Sequence, residues 1–414
     1  MDARLAAIVD AAAEVVGQPE LEALVQSAEE GKRPKAYVGF EPSGTAHIGW
    51  MVCTDMVRRL TAAGFDTTIL LADWHAQIND KLGGDLAAIQ ACGRYMMEAF
   101  EALGVPKSSV RYVWANDLAA DPGYWATVVR VLKNTTLARM RRAMTIMGRA
   151  EDEGDGDMSK FLYPAMQVAD IFFMEIDVAY GGLDQRHAHM LARDVSRHLG
   201  RKPPVAIHTP LVPSLKGPGR MDPGEAQGAA VPKGMGPKGA AAMLANQQFV
   251  ALLQAELAKG VPEAEAMVEA QHRFASQQMI EGKMSKSDPD SGIFIHDAPE
   301  DVKRKLKAAH CPAKEVDGNP VLDLLRLVVW PRLADLHRDG PPRFEIHRPE
   351  KFGGNKLYLG YEALLAEYRS GALHPLDLKM GVADALNVLL EPVRRHFQRH
   401  PETLAFVQGL KRTR

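Results

Sequence analysis

Short β-branched apolar runs alternate along this chain with longer stretches of helical periodicity. The runs predicted to form strands are Lys35–Phe40, Thr67–Asp73, Val110–Trp114 and Val205–His208. Strands that alternate with helices in this way favour a parallel sheet wound with helices. We therefore predict an α/β fold with a doubly wound parallel sheet, whose ligands bind beyond the carboxyl ends of the strands.

The stretches outside this alternation have different compositions. Residues 1–31 show helical spacing of leucine, isoleucine and valine and are predicted to form two short amphipathic helices. Residues 212–239 are rich in Gly, Pro and Ala, which is typical of a mobile loop or an insertion. Beyond residue 300 the pattern is helical to the end of the chain, apart from an irregular stretch at 341–354.

A glycine-rich turn follows the first predicted strand, within residues 37–50 (YVGFEPSGTAHIGW). Gly39, Gly44 and Gly49 allow the backbone to approach a ligand closely, and the following helix N-terminus directs N–H groups at phosphate. His47 is predicted at that terminus, where it would stabilise charge on a phosphoryl group. Taken alone, the motif also fits a strand-to-helix turn with a surface histidine.

A second motif lies far downstream, at residues 283–287 (KMSKS). Lys283 and Lys286, with two serine hydroxyls and a preceding Gly282, make a flexible cationic loop able to close over a polyphosphate. The alternative is a solvated basic turn.

A third motif places polar side chains on an apolar helix. Tyr163, Gln167 and Asp170 are spaced to share one helical face, and Gln185 follows in the segment GGLDQR. A buried carboxylate such as that of Asp170 needs a partner, which favours a binding face. A helix with a solvated polar side is the alternative.

The first two motifs together resemble the paired nucleotide-binding signature of class I aminoacyl-tRNA synthetases. The third motif, with AYVGFEPSG, is similar to the amino-acid pocket of tyrosyl-tRNA synthetases of the archaeal and eukaryotic type. The resemblance covers about 35–212 and 280–395. It implies a Rossmann-like catalytic domain at 1–300, with an insertion at about 213–280, and an α-helical anticodon-binding domain at 301–414.

The resemblance also implies roles for single residues. Those implied to bind ATP are Gly39, Ser43, His47, Gly49 and Lys286. Those implied to stabilise phosphate charge during catalysis are His47, Lys283 and Lys286. ATP would arrive with Mg²⁺, because the sequence shows no carboxylate cage for a metal site of its own.

In the amino-acid pocket, Tyr37 and Asp170 are implied to hydrogen-bond the phenolic hydroxyl of L-tyrosine. Phenylalanine would leave both groups unpaired, which is the known basis of discrimination by tyrosyl-tRNA synthetases. Asp73 and His75 are further pocket candidates, although a structural role for His75 is nearly as well supported. The residues implied to hold the α-ammonium group and the ring are Tyr163, Gln167 and Gln185, with Glu41 nearby.

Two C-terminal segments, RPEKFGG and LHPLDL, resemble the anticodon-binding domain of the same family. Phe352, His374 and Asp377 are therefore implied to receive the first anticodon base by stacking and hydrogen bonds. A turn and a helix start would fit the residues equally well. The residues implied to contact the first acceptor-stem pair of the tRNA are Arg142 and Arg186.

The distribution of charged residues along the chain is more informative about an RNA partner than the net charge is. The total of 50 Lys plus Arg and 52 Asp plus Glu, a net charge of −2, argues weakly against nucleic acid. Residues 301–414, however, hold 20 basic and 14 acidic side chains, and residues 1–300 carry a net −8. The run Arg130–Arg149 is basic with no acid. This segregation is compatible with tRNA binding.

Other features concern location and assembly. The N-terminus lacks a signal-peptide pattern, and no 18-residue uncharged apolar run occurs. The 3 cysteines show no CxxC spacing. We therefore expect a cytoplasmic protein with free thiols and no membrane partner, and the family resemblance implies a homodimer.

We predict a tyrosine–tRNA ligase that activates L-tyrosine with ATP and charges tRNA(Tyr). A class I relative specific for tryptophan and a synthetase-like RNA-binding or regulatory protein with weakened activation are the alternatives. The regulatory alternative is supported by Trp50, which stands where the family usually has a second histidine or a small polar residue. One ATP contact would then be missing, or replaced by ring stacking.

Overall fold

The computed structural model describes residues 2–148, 157–217, 247–258, 267, 270, 290–337 and 341–410. Most of the predicted insertion and the whole KMSKS motif, with Lys283 and Lys286, lie outside these ranges. Of the helices that are described, none is long and apolar enough to span a lipid bilayer.

A sheet of six strands, in the order β1-β6-β5-β2-β3-β4, is the centre of the described structure. The strands are β1 (Glu14–Val16), β2 (Lys35–Phe40), β3 (Asp66–Leu71), β4 (Arg111–Trp114), β5 (Val178–Gly182) and β6 (Val205–Thr209). Neighbouring strands run parallel except β1, which pairs antiparallel with β6 at one edge. The predicted doubly wound sheet is confirmed, with one antiparallel edge strand added.

The four predicted strands all occur, each within two residues of its predicted bounds. The sequence does not predict β1 or β5. β1 has only 3 residues between two helices, too few to show an alternating pattern. β5 ends in two glycines, which are depleted in strands.

Each face of the sheet packs against its own apolar cluster. Val38 and Ile69 point into the larger cluster, whereas their neighbours Tyr37 and Leu70 point into the smaller one. Side chains alternate across a strand, so this division places the two clusters on opposite faces. Burial of both faces is typical of a parallel sheet.

Helices surround the sheet and occupy the longer periodic stretches. They are α1 (Ala3–Ala11), α2 (Gln18–Glu29), α3 (Trp50–Ala62), α4 (Asp73–Ile78), α5 (Leu86–Ala102), α6 (Ala115–Ala119), α7 (Pro122–Lys133), α8 (Leu137–Met144), α9 (Leu162–Phe173) and α10 (Arg186–Val195). The predicted helical motif from Tyr163 to Asp170 lies within α9. The two amphipathic helices predicted before residue 31 are α1 and α2.

The chain beyond the sheet is mainly helical, as predicted. Its helices are α11 (Gln247–Leu257), α12 (Pro299–Ala308), α13 (Pro320–Leu324), α14 (Leu333–Leu336), α15 (Tyr361–Ser370), α16 (Pro375–Arg399) and α17 (Pro401–Gly409). The stretch predicted to be irregular contains β7 (Phe344–Ile346), which pairs antiparallel with β8 (Lys356–Tyr358). The larger apolar cluster runs from Leu5 to Val407, so these helices share the core of the sheet, except α11, whose buried residues Phe249 and Leu252 belong to a separate small cluster.

Candidate active site

Two buried polar groups, the carboxylate of Asp170 on α9 and the hydroxyl of Tyr37 on β2, form the first part of the candidate site. Asp170 is 1% exposed, and its Oδ1 accepts a 2.8 Å hydrogen bond from the Tyr124 hydroxyl. Among the described residues, neither Oδ2 of Asp170 nor the Tyr37 hydroxyl makes a hydrogen bond of normal geometry. Burial raises the pKa of Tyr37, the charge of Asp170 raises it further, and Gln167 partly offsets the rise. Buried polar groups are rarely left unpaired, so this pair indicates a polar ligand.

His75 lies against the same carboxylate. Its Nε2 is 3.2 Å from Oδ2 of Asp170, with both side chains buried, although the angles are not those of a hydrogen bond. Its ring meets that of Tyr163 edge-on, with centroids 5.0 Å apart. Burial lowers the pKa of His75, but Asp170, Glu41 and Asp73 together outweigh burial, so the net pKa is raised. His75 therefore lies among the predicted pocket residues.

Glu41 is the centre of a second group of polar contacts, just beyond the end of β2. Its Oε1 accepts a 2.8 Å hydrogen bond from the Tyr163 hydroxyl. Burial, Glu41 and then Asp170 raise the pKa of Tyr163, so this hydroxyl lies within the electrostatic reach of both carboxylates. Nε2 of Gln167 donates to Oε1 of Gln185 at 3.3 Å. The structure thus brings the predicted tyrosine-binding residues to one side of the sheet.

The sequence motifs miss two contacts of this pocket. Tyr124 lies on α7 and reaches Asp170 because α7 packs against α9. Asn79 donates from Nδ2 to Oε1 of Glu41 at 2.8 Å and to the Met147 carbonyl at 3.1 Å. Neither residue belongs to a recognisable motif, and both partners are distant in sequence, so only the folded chain reveals these contacts.

The glycine-rich turn after β2 is held in place by α5. The N–H of Gly44 donates to Sγ of Cys92 at 3.1 Å, and the N–H of Ala46 donates to the Tyr95 hydroxyl at 3.1 Å. Gly44 has a φ of +114°, a conformation that only glycine adopts readily. The Ser43 hydroxyl donates to a main-chain carbonyl two residues earlier, at 3.1 Å. The turn is therefore rigidly supported from one helix.

His47 lies just before α3, close to the helix N-terminus as predicted. Its Nδ1 accepts a 3.1 Å hydrogen bond from the N–H of Gly49. A Cβ atom at position 49 would lie 2.7 Å from Cε1 of His47, so glycine leaves room for the imidazole. Glycine at position 49 is therefore explained by the space that the His47 ring needs, whereas the sequence motif predicts the close approach of a ligand. A Cβ at Gly39 would make only ordinary contacts.

The segment that follows the KMSKS motif is anchored beside His47. Two main-chain hydrogen bonds, of 2.8 and 3.1 Å, join residues 46–48 to residues 293–295. The described chain resumes at Asp290, three residues after the motif ends. The segment just beyond the KMSKS motif thus lies beside the glycine-rich turn, whereas the motif itself, with both of its lysines, lies outside the described residues.

Trp50 lies in the apolar core. Its ring is 5% exposed and packs against those of Phe40 and Phe100, with centroid distances of 4.9 and 5.3 Å. An indole enclosed by protein side chains has no face available for stacking on a nucleotide. Trp50 therefore does not replace an ATP contact by ring stacking, which was one of the two effects expected from the sequence.

The predicted anticodon contacts lie around the start of α16. Phe352 is 60% exposed, and Nζ of Lys351 lies 5.0 Å from its ring centroid. Arg348 joins the adjoining turn to α16, with NH1 3.2 Å from Oδ2 of Asp377. His374 caps α16, because its Nδ1 accepts a 3.1 Å hydrogen bond from the N–H two residues later. The helix start suggested as an alternative is also present and carries His374 and Asp377, whereas Phe352 lies in the turn at Glu350–Phe352.

The basic residues predicted to face an acceptor stem have different surroundings. Arg186 makes a two-pronged ion pair with Glu14 of β1, at 2.8 and 3.0 Å. Arg139 is paired with Asp194 at 3.0 Å. Arg142 is half-buried, near the end of α8. Only part of the predicted basic stripe is therefore free of nearby carboxylates in the described structure.

Residues 29–226 and 247–391 match the family model of tRNA synthetases class I (W and Y). The chain belongs to this family. The synthetase is 44% identical to the tyrosine–tRNA ligase of Aeropyrum pernix over 381 residues, 92% of this chain and 89% of the relative. It is 39% identical to that of Saccharolobus islandicus over 413 residues, 100% and 99% of the two chains.

Solved structures agree with this family assignment. The synthetase superposes on tyrosyl-tRNA synthetase of Pyrococcus horikoshii complexed with L-tyrosine, with a TM-score of 0.78, 35% identity and 98% coverage of both chains. The tyrosyl-tRNA synthetase of Aeropyrum pernix gives a TM-score of 0.74 at 38% identity, again with 98% coverage of each. The tryptophanyl-tRNA synthetase of that organism, at 17% identity, shares the fold alone.

Proposed function

We propose that this class I synthetase is a tyrosine–tRNA ligase, which forms tyrosyl-adenylate from L-tyrosine and ATP and transfers tyrosine to tRNA(Tyr). Full-length tyrosine–tRNA ligases among its relatives confirm the activity predicted from the sequence. The observation that carries the choice of amino acid is the buried pair of Tyr37 and Asp170, each with a polar atom that makes no hydrogen bond of normal geometry among the described residues.

This pair matches the hydrogen-bonding capacity of a phenol. The substrate hydroxyl donates to Oδ2 of Asp170 and accepts from the Tyr37 hydroxyl, so both orphan groups are satisfied. Phenylalanine satisfies neither group, at a cost of about 1–3 kcal/mol for each buried group left unpaired. The indole N–H of tryptophan donates but cannot accept, which leaves Tyr37 unpaired. We assign the amino end of the substrate to the second polar group, Tyr163, Gln167, Gln185 and Glu41.

The proposed reaction requires no protein nucleophile. The tyrosine carboxylate attacks the α-phosphorus of ATP and pyrophosphate leaves. The terminal ribose hydroxyl of the tRNA then attacks the carbonyl carbon of the tyrosyl-adenylate, forms the ester and releases AMP. The enzyme contributes positioning and charge stabilisation. His47 acts on the phosphates from the start of α3, together with Lys283 and Lys286. The ATP-facing turn holds Gly39, Ser43 and Gly49, and Mg²⁺ enters bound to ATP.

We assign tRNA recognition to two regions. The exposed ring of Phe352 stacks on the first anticodon base, and His374 and Asp377 read its edge, within an anticodon-binding domain at 301–414 that follows the catalytic domain at 1–300. Arg142 and Arg186 contact the first acceptor-stem pair. We further propose that the enzyme is a cytoplasmic homodimer, in keeping with a role in translation.

Amino-acid-dependent ATP–pyrophosphate exchange tests the proposal. We expect exchange with L-tyrosine, and at most trace exchange with L-phenylalanine or L-tryptophan at equal concentration. Exchange driven preferentially by tryptophan would contradict the assignment and indicate the tryptophan-specific relative. No exchange with any amino acid, together with retained tRNA binding, would indicate the regulatory protein.

A further inference from the structure

Three metal-ligating side chains meet where α16 packs near α5, away from the proposed active site. Glu98 lies on α5, His396 lies in the last turn of α16, and His400 follows at its C-terminal end. Their ligating atoms all lie within 4.8 Å of one another. Nε2 of His396 is 2.9 Å from Oε2 of Glu98, and the two imidazole rings lie 4.7 Å apart between centroids.

The arrangement suits one class of ion. Two histidines four residues apart project from the same side of a helix, one turn apart. Two imidazoles and one carboxylate form a ligand set that Zn²⁺ accepts in tetrahedral geometry, with water in the fourth position. Neither Mg²⁺ nor Ca²⁺ suits this set, because both prefer oxygen ligands. We propose that Glu98, His396 and His400 bind one zinc-class divalent transition-metal ion.

The surroundings orient the carboxylate for this role. Nζ of Lys107 lies 2.6 Å from Oε1 of Glu98, which leaves Oε2 directed at the histidines. The charge of Lys107 is itself balanced by Glu101, whose Oε2 is 2.9 Å away. Such outer contacts commonly fix metal ligands.

The ion would join two helices that support the ATP-facing turn. α5 carries Tyr95, whose hydroxyl accepts the Ala46 N–H. α16 carries Arg394, whose Nε donates at 2.9 Å to the carbonyl of Asp297, next to the segment paired with the His47 region. The site is therefore assigned a structural role, clamping the C-terminal helix to the catalytic half, and no part in the chemistry.

Metal binding to the full-length protein, stripped with chelator and titrated with Zn²⁺ or Co²⁺, tests the proposal. We expect one tight equivalent of Zn²⁺ per chain by calorimetry, and Co²⁺ absorption bands with the intensity of a tetrahedral site. Zn²⁺ should also raise the melting temperature, because it binds the folded state. His400→Ala should weaken binding at least about tenfold, as expected for loss of a ligand.

Two further variants keep the test decisive. Glu98→Gln retains the shape of the side chain and should lose the same affinity, which covers failure of a histidine variant to fold. His347→Ala is the matched control, because its Nε2 lies 3.8 Å from a carboxylate oxygen of Glu345 on an exposed surface, and it should bind Zn²⁺ as the unaltered protein does. Less than stoichiometric binding, or wild-type affinity in both His400→Ala and Glu98→Gln, would overturn the proposal.

Discussion

At the scale of single residues, the choice of amino acid rests on which atoms the protein itself leaves unsatisfied. Tyr124 occupies one oxygen of Asp170, so that carboxylate presents only Oδ2 to a ligand. His75 lies beside the same oxygen without the angles of a hydrogen bond. A hydroxyl inserted between Asp170 and Tyr37 therefore gains two hydrogen bonds that the free enzyme lacks.

Asp170→Asn is the sharpest single-residue test of this pocket. The amide keeps the shape of the side chain but removes its charge, and a hydrogen bond to a charged group contributes about 2 kcal/mol. We expect kcat/KM for tyrosine in pyrophosphate exchange to fall roughly 30-fold, with the KM for ATP little changed. Asp194→Asn, an exposed partner of Arg139, serves as control. Unchanged tyrosine kinetics would refute the role of Asp170.

His374→Asn tests the anticodon assignment without removing the helix cap, because asparagine is itself a favoured N-cap residue. Loss of the imidazole should reduce tRNA charging about tenfold, which corresponds to one hydrogen bond or stacking contact. Pyrophosphate exchange, which needs no tRNA, should stay at the level of the unaltered enzyme. Equal losses in both assays would show that His374 acts on the catalytic half or on folding instead.

At the scale of secondary-structure elements, local patterns carry most of the information about the fold. β2 and β3 are predicted well because each is a short run rich in apolar and β-branched residues, most of them buried. β1 is recognised only through its pairing with β6, a contact between residues nearly two hundred positions apart. The pocket shows the same difference between local and long-range information. The local spacing predicts that Asp170 lies on one helical face, whereas Tyr124 is brought to Asp170 only by the packing of α7 against α9.

Gly49→Ala tests how the turn before α3 positions His47. The added Cβ would lie 2.7 Å from Cε1 of the imidazole, so the ring must move. A displacement of about 1 Å at a catalytic group can reduce the rate roughly 100-fold, and we expect that loss in pyrophosphate exchange with the KM for tyrosine retained. Gly360→Ala, where a Cβ has open space, is the control. Exchange at the normal rate in Gly49→Ala would refute the positioning of His47.

At the scale of the whole molecule, the larger apolar cluster joins the sheet to most of the C-terminal helices. Two histidines in the described structure, the buried His189 and the half-buried His296, have lowered pKa values. Burial and the neighbouring His208 lower the pKa of His189 to about 3, and burial lowers that of His296 to about 4. Between these values and the unfolded pKa of 6.5, the unfolded chain binds protons that the folded chain excludes. The stability contributed by these histidines is therefore complete above pH 6.5 and is lost as the pH falls.

For each histidine, we expect the free energy of unfolding to decrease by about 1.4 kcal/mol for every pH unit between its unfolded pKa and its folded pKa. Urea unfolding at neutral and mildly acidic pH measures the slope for the unaltered protein and for His296→Gln. The variant should show a shallower slope by about one proton. Identical slopes would mean that His296 titrates normally in the folded protein.

Charge segregation, a property of the whole chain, was visible in the sequence, but the partners of single arginines were not. Nothing in the sequence indicated that Arg139, in the basic run before residue 150, would pair with Asp194, or that Arg186 would pair with Glu14. Ion pairs of this kind depend on which surfaces the fold brings together. The same holds for Trp50. Its place in a nucleotide-binding motif did not indicate that its side chain would be buried in the apolar core.

The most direct test is a crystal structure of the synthetase with bound L-tyrosine. The phenolic oxygen should lie within hydrogen-bonding distance of both the Tyr37 hydroxyl and Oδ2 of Asp170, with the α-ammonium group on the side of Tyr163 and Gln167. A tyrosine whose hydroxyl contacts neither Tyr37 nor Asp170 would contradict the proposed basis of amino-acid recognition.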